Sequence, residues 1–245
     1  MRFRRIALIM GVLTGLLCST VFAASWLDQA KDFVNTLSTS GTDKALSTDE
    51  IILGLKEALK VGSESVVAQL GQTDGFNADE LIHIPLPKQL DTVKTLLDKA
   101  GFGFLLSDLE LKLNRAAEAA TPKAKALFMN AISEMSFDDV KNIYNGPDDA
   151  ATQYFREKMS PALAEEMKPV IEDTLMEVGA VKAYDQVMDQ YKSIPFVPDV
   201  KSDLTGHVIE KGMAGIFHYI AQEEAAIRQD PAKRTTEILK KVFNR

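Results

Sequence analysis

The spacing of apolar residues is the feature that most restricts how this chain can fold. Apolar side chains recur at every third or fourth position in one segment after another, and alternation with a period of two is nearly absent. The first spacing places them on one face of an α-helix, whereas a half-buried strand requires the second. The clearest stripe follows a capping-box pair, Ser47 and Glu50, and contains Ile51, Leu55, Leu59, Gly62, Val66 and Leu70. The pattern predicts an all-α protein.

The predicted architecture is a multi-helix bundle of about nine helices with two short proline-containing extended segments. These segments are residues 81–87 and 194–198, because a residue that precedes proline is disfavoured in the helical conformation. Two separate helices are predicted at 150–158 and 161–178, and a long helix is predicted at 202–229. Ser136 and Asp139 have the spacing of a helix cap.

The amino terminus has the pattern of a secretory signal peptide. Three arginines lie within the first five residues, an apolar run covers 6–17, and small residues precede a cleavage site after Ala23 or Ala24. We therefore expect a signal peptide at 1–23, an N-terminal helix and linker at 24–45, and a single all-α domain at 46–245. Export to a Gram-negative-type periplasm is the expected localisation.

The only cysteine, Cys18, lies inside the segment that is removed, so the mature chain is expected to contain no disulfide. Lipoprotein processing requires a small residue before the cysteine. Leu17 occupies that position, so we do not expect the chain to be a lipoprotein. No apolar stretch after Ala24 approaches 18 residues, so no transmembrane segment is expected after cleavage.

The charge balance argues against a nucleic-acid partner. The chain has 28 basic and 35 acidic side chains, and removal of residues 1–23 takes away three arginines and no acid, which leaves a net charge of −10. Lysine and arginine are interleaved with acidic residues, so the chain lacks the basic surface that binding to DNA or RNA requires.

No motif predicts a catalytic residue, a cofactor site or a metal site. A nucleophile elbow, a phosphate loop and a dinucleotide fingerprint are all absent from the sequence. Glu80 and His83 have the Glu-x-x-His spacing of di-iron bundles, but that chemistry needs two copies on facing helices. His207 and His218 would lie about 16 Å apart along one helix, too far to share an ion.

Glu224 is the most unusual acidic residue. On a helical wheel it lies inside the apolar stripe of the last long helix, and Glu223 lies on the edge of that stripe. A buried carboxylate is costly unless a cation and hydrogen bonds satisfy it, so we expect a guanidinium partner. Arg228, one turn further on, is the local candidate; the candidates from other helices are Arg115, Arg156 and Arg234.

A second polar cluster consists of Asn114, Arg115 and Glu118, which follow one another at helical spacing. One interpretation is an exposed ion pair that contributes less than about 1 kcal/mol. The alanines on either side favour a helix that its neighbours approach closely, and so a buried polar network. Both clusters are interpreted either as structural networks or as the lining of a functional cleft.

Several short strings resemble the bacterial exported family known as domain of unknown function 4197 (DUF4197). They are LGLKEAL (53–59), IPLP (84–87), LNRAAE (113–118), ATQYFR (151–156), EEAAIRQDP (223–231) and LKKVF (239–243). The resemblance covers about residue 46 to the C-terminus and implies an exported, mostly helical protein. It implies no established activity, so no catalytic residue is carried over from it.

These observations favour a non-enzymatic binding or interaction module whose partner is an unidentified protein or small-molecule ligand. The first alternative is an enzyme that uses Glu223 or Glu224 for acid-base chemistry, with an arginine to hold its substrate. The second alternative is a peripheral envelope-membrane protein that contacts an anionic lipid surface through the basic, amphipathic C-terminal helix at 232–243.

Overall fold

In a computed structural model of the chain, which describes residues 48–197 and 202–229, every regular element is a helix. These residues belong to one compact unit, Thr42–Arg245. The α-helices are α1 (Thr48–Leu70), α2 (Asp91–Lys99), α3 (Gly103–Ala120), α4 (Ala124–Glu134), α5 (Phe137–Asn145), α6 (Ala150–Glu177), α7 (Ala180–Lys192) and α8 (Leu204–Gln229). Two 3₁₀ turns, Lys88–Leu90 and Thr121–Lys123, precede α2 and α4. The all-α prediction is confirmed for this part of the chain.

Several predictions fall on residues outside the described ranges. They are the signal peptide, the N-terminal helix and linker, Ser47 of the first capping box, Pro198, Arg234 and the C-terminal helix at 232–243. The other predicted cap is confirmed: Ser136 and Asp139 form a complete capping box at the start of α5.

The prediction of separate helices at 150–158 and 161–178 is wrong, because α6 runs without a break through Pro161 and Pro169. Both prolines lie on the exposed face of α6, where water can satisfy the carbonyl groups that lose a donor. The opposite face is a continuous buried stripe of Ala151, Phe155, Met159, Leu163, Met167, Ile171 and Leu175. Burial of this stripe offsets the roughly 3 kcal/mol that a proline costs inside a helix.

The two predicted extended segments have different outcomes. The prediction for 81–87 is wrong at residues 81 and 82, which form a turn in which the amide of His83 donates to Asp79 at 2.8 Å; residues 83–87 then run without helix or turn as far as the turn before α2. The prediction for 194–198 is wrong where the structure describes it, because the chain bends at Ile194 and residues 195 and 196 form a turn. The amide of Ile194 still donates to Tyr191, and Phe196 then adopts a left-handed conformation with φ of 64°. The backbone therefore continues in a helical turn beyond the end of α7, as far as Pro195.

Helix α6 is the centre of the core and packs along both α8 and α3. Phe128 of α4 meets Phe155 of α6 and Phe217 of α8 edge-on, with ring centroids 5.1 and 6.5 Å apart. The segment 71–87, which connects α1 to the turn before α2, also reaches the core through Phe76. A side chain at Gly215 of α8 would come within 2.6 Å of the Phe76 ring, so that glycine allows the segment to lie directly against α8.

Candidate functional site

Glu224 of α8 caps the start of α6. Its residue is 6% exposed, Oε1 accepts the amide of Ala151 at 2.8 Å, and Oε2 accepts the amide of Thr152 at 2.9 Å. The hydroxyl of Thr152 donates to the same Oε2 at 3.0 Å. The residue at the cap position, Asp149, makes no side-chain cap bond, so a carboxylate from another helix satisfies the free N–H groups of the first turn.

Arg228 completes this cluster, which we call the helix-junction site. Its Nε and Nη2 donate to Glu224 Oε1 at 3.2 and 2.9 Å, and Nη2 also donates to the carbonyl of Ile143 at 2.7 Å. Ile143 lies in the last turn of α5, so one guanidinium joins the end of α5 to the carboxylate that caps α6. The other predicted partners lie elsewhere: Arg115 pairs with Glu118, and Arg156 lies 5.2 Å from the Phe217 ring centroid.

The helix-junction site leaves little room for a substrate. The adjoining cavity has a volume of about 20 Å³ and is lined by Leu55, Ala58, Leu59, Ile143, Ala151, Ile227 and the ion pair itself. That volume is enough for about one water molecule. Glu223 is half-buried beside it, and the contacts of Glu224 are made without it.

A row of polar side chains on α3 holds the connecting segment 71–87, and we call it the α3 ladder. It consists of Glu110, Asn114 and Glu118, each one turn from the next. Glu118 Oε1 accepts the amides of Phe76 and Asn77, both at 3.1 Å. Asn114 accepts the amide of Ile84 and donates to its carbonyl, both at 2.9 Å, and Glu110 Oε2 accepts the amide of Leu86 at 3.2 Å.

Arg115 extends the α3 ladder towards solvent. It donates to Glu118 Oε2 at 2.7 Å and to Asp74 Oδ1 at 2.8 Å. Hydrogen bonds from Asn77 and then from Arg115 lower the pKa of Asp74. Asp74 adopts a left-handed conformation with φ of 68°. Its carboxylate accepts hydrogen bonds from Asn77 and Arg115, and these two side chains hold the turn that begins the connecting segment.

The connecting segment is also held from α8. Tyr219 donates its hydroxyl to Asp79, and His207 Nε2 lies 2.8 Å from the carbonyl oxygen of Pro85. The hydrogen bond to Asp79, together with burial, raises the pKa of Tyr219 to about 12. His83, which belongs to the segment, links it to α3: its Nδ1 lies 2.9 Å from the carbonyl oxygen of Asn77 and its Nε2 lies 3.0 Å from Glu110 Oε1.

The part of the chain that the structure describes contains no candidate metal site. Within residues 48–197 and 202–229, no three His, Cys, Asp or Glu side chains are grouped so that they could hold an ion. Over the same residues, no helix combines the length and apolarity that crossing a bilayer requires.

An open cleft lies between α4, α5 and α6, and the sequence predictions missed it. This cleft has a volume of about 240 Å³ and is lined by Leu127, Asn130, Ala131, Glu134, Asp139, Tyr154, Lys158, Met159 and Ala162. Burial, followed by the charges of Asp139 and Glu134, raises the pKa of Tyr154. The residues come from three helices at unremarkable spacings, so no local pattern identifies them.

A family model with the description "Protein of unknown function (DUF4197)" matches residues 45–244. The chain belongs to the DUF4197 family. No curated protein and no solved structure matches it.

Three of the six strings that carry the DUF4197 resemblance supply residues of the two polar clusters. LNRAAE supplies Asn114, Arg115 and Glu118 of the α3 ladder and its extension. ATQYFR supplies the first turn of α6, and EEAAIRQDP supplies the carboxylate and the guanidinium that cap it. In this member of DUF4197, residues of these strings therefore form the contacts that join helices to one another and to the connecting segment.

Proposed function

We propose that this chain is an exported, periplasmic binding protein without enzymatic activity. The observation that carries the proposal is the closed set of bonds around Glu224. Both of its oxygens accept hydrogen bonds from α6, and Arg228 neutralises it at 2.9 Å. A carboxylate engaged in this way is poorly placed to transfer a proton to or from a substrate.

The remaining polar cluster supports the same interpretation. Glu118 and Asn114 bond to the backbone of the connecting segment, and Arg115 neutralises Glu118 at 2.7 Å. Such contacts fix the geometry of the fold. Within the described residues, the cleft between α4, α5 and α6 offers a concave surface to a ligand, where charged and apolar side chains meet.

The experiment is to express the full chain in a Gram-negative host and purify it from the periplasmic fraction. Native mass spectrometry would then measure the mass of the chain, which gives its length, and the masses of any bound small molecules and protein partners. We expect a chain shortened by 23 or 24 residues that carries a non-covalent ligand or partner. A matched variant without residues 1–23 should remain in the cytoplasm.

Two results would contradict the proposal. An uncleaved chain retained in the cytoplasm would exclude export, and a periplasmic protein free of ligand and partner would exclude binding.

A further inference from the structure

The cleft between α4, α5 and α6 has charges of both signs above an apolar floor. Leu127 and Ala131 of α4 and Met159 and Ala162 of α6 supply apolar surface. Its volume of about 240 Å³ lies just below the range of roughly 300 to 1,000 Å³ that is typical of pockets for drug-sized ligands. The cleft therefore suits a compact ligand with an apolar portion.

Two carboxylates, those of Asp139 and Glu134, line the cleft. Asp139 uses one oxygen to accept the amide and hydroxyl of Ser136, at 2.8 and 2.7 Å, and a carboxylate offers about four acceptor positions. These bonds to Ser136, together with the nearby lysines, lower the pKa of Asp139 and keep it ionised. Glu134 lines the cleft from the last turn of α4. Asp139 and Glu134 together suit a ligand's ammonium group.

Lys158 supplies the opposite charge. It is exposed, its Nζ lies 5.7 Å from the ring centroid of Tyr154, which also lines the cleft, and its charge also acts on Asp139. The nearby Lys56 already donates to the carbonyls of Met135 and Ser133, at 2.8 and 3.3 Å. Lys158 is the one lysine among the residues that line the cleft, so it is the group that would meet a ligand's carboxylate.

We propose that this cleft binds a small zwitterion of amino-acid to dipeptide size. The ammonium group would contact Glu134 and Asp139, the carboxylate would contact Lys158, and an apolar side chain would lie on Ala131 and Met159. A simple anion would face two carboxylates, and a simple cation would face a lysine, so a ligand with both charges matches the lining best. This inference rests on the proposed binding function and gives it a site and a ligand class.

The test is calorimetric titration of the mature full-length chain with L-alanyl-L-leucine, its N-acetyl derivative and its C-terminal amide. We expect saturable one-to-one binding of the free dipeptide and at least roughly tenfold weaker binding of each blocked form, because each lacks one charge. Lys158→Gln should remove the preference over the amide, and Glu134→Gln should remove the preference over the N-acetyl form. Matched controls are Lys168→Gln and Glu165→Gln, which change exposed positions of α6 away from the cleft lining.

Two outcomes would overturn the inference while the fold remains intact by circular dichroism. One is the absence of saturable binding of the dipeptide and of free leucine up to about 10 mM, which corresponds to negligible affinity. The other is equal binding of free and blocked peptides. In either case a ligand or partner recovered with the periplasmic protein would leave the binding function standing, whereas its absence would refute that function separately.

Discussion

A single carboxylate, that of Glu224, connects three helices at the residue scale. It receives hydrogen bonds from two residues of α6 and from Arg228, whose guanidinium also reaches the carbonyl of Ile143 in α5. Burial makes the pair sensitive to the loss of one member, since the remaining charge would be desolvated without compensation. The net contribution of the intact pair is smaller than the cost of breaking it.

We expect Glu224→Gln to lower the free energy of unfolding by about 3 kcal/mol, because the amide leaves Arg228 without its counter-charge in a buried site. Urea unfolding followed by circular dichroism measures the change. Glu223→Gln is the matched control at the adjacent half-buried position and should cost less than about 1 kcal/mol. Equal losses for the two variants would contradict a structural role for Glu224.

The phenol of Tyr219 gives a second prediction. Its pKa is raised to about 12 by the hydrogen bond to Asp79 and by burial, whereas an unfolded tyrosine titrates near 10. The folded state therefore holds this proton more tightly, so the resulting stability is complete below about pH 10 and is lost as the pH rises towards 12. The difference between the ultraviolet phenolate titrations of the wild type and Tyr219→Phe should centre near pH 12. A difference centred near pH 10 would refute the contact.

At the scale of elements, the α3 ladder fastens one connecting segment by its backbone. We expect Asn114→Ala to increase hydrogen exchange at the amides of Ile84 and Leu86, and to cost about 1 to 3 kcal/mol, because the buried N–H and C=O of Ile84 lose their partner. Lys112→Ala changes a surface ion pair on the same helix and serves as the control. Unchanged exchange in Asn114→Ala would show that other contacts hold the segment.

The sequence predicts the helices better than the joints between them, because helical periodicity is a local property. The long helix predicted at 202–229 agrees closely with α8, Leu204–Gln229. The continuity of α6 through Pro161 depends instead on a stripe buried by neighbouring helices, and no local rule weighs that burial against a proline.

The candidate site shows the same division. The helical wheel predicts that Glu224 lies in an apolar stripe, and the structure places it there beside Arg228. The amides that Glu118 accepts lie 41 and 42 positions earlier in the chain, so its partners cannot be inferred from spacing. Glu110 was missed, although its spacing of four from Asn114 was a usable signal.

At the scale of the whole molecule, the lowered pKa values of three aspartates predict a loss of stability in acid. Asn77 and Arg115 lower the pKa of Asp74, hydrogen bonds from Ser136 lower that of Asp139, and the pKa of Asp79 is lowered although burial opposes the shift. A lowered pKa means that the stability is present above the ordinary aspartate pKa of 3.8 and is lost as the pH falls below it.

We therefore expect the free energy of unfolding to fall between about pH 4 and pH 2, and to fall less steeply in the double variant Asp74→Asn, Asp139→Asn. Urea midpoints measured across this range give the slope for each protein. Parallel curves for the wild type and the double variant would contradict the assignment. Asp79→Asn, measured separately, would isolate the share that passes through Tyr219.

The cap of α6 has a consequence for how a newly made chain folds. The amide of Ala151 finds its acceptor 73 positions later, on a helix that is made long after α6. Until that stretch emerges, the longest described helix begins with unsatisfied donors and α5 is not yet tied to it. A polypeptide that lacks residue 224 would consequently have an uncapped first turn of α6, so the docking of α8 is the step that joins these helices.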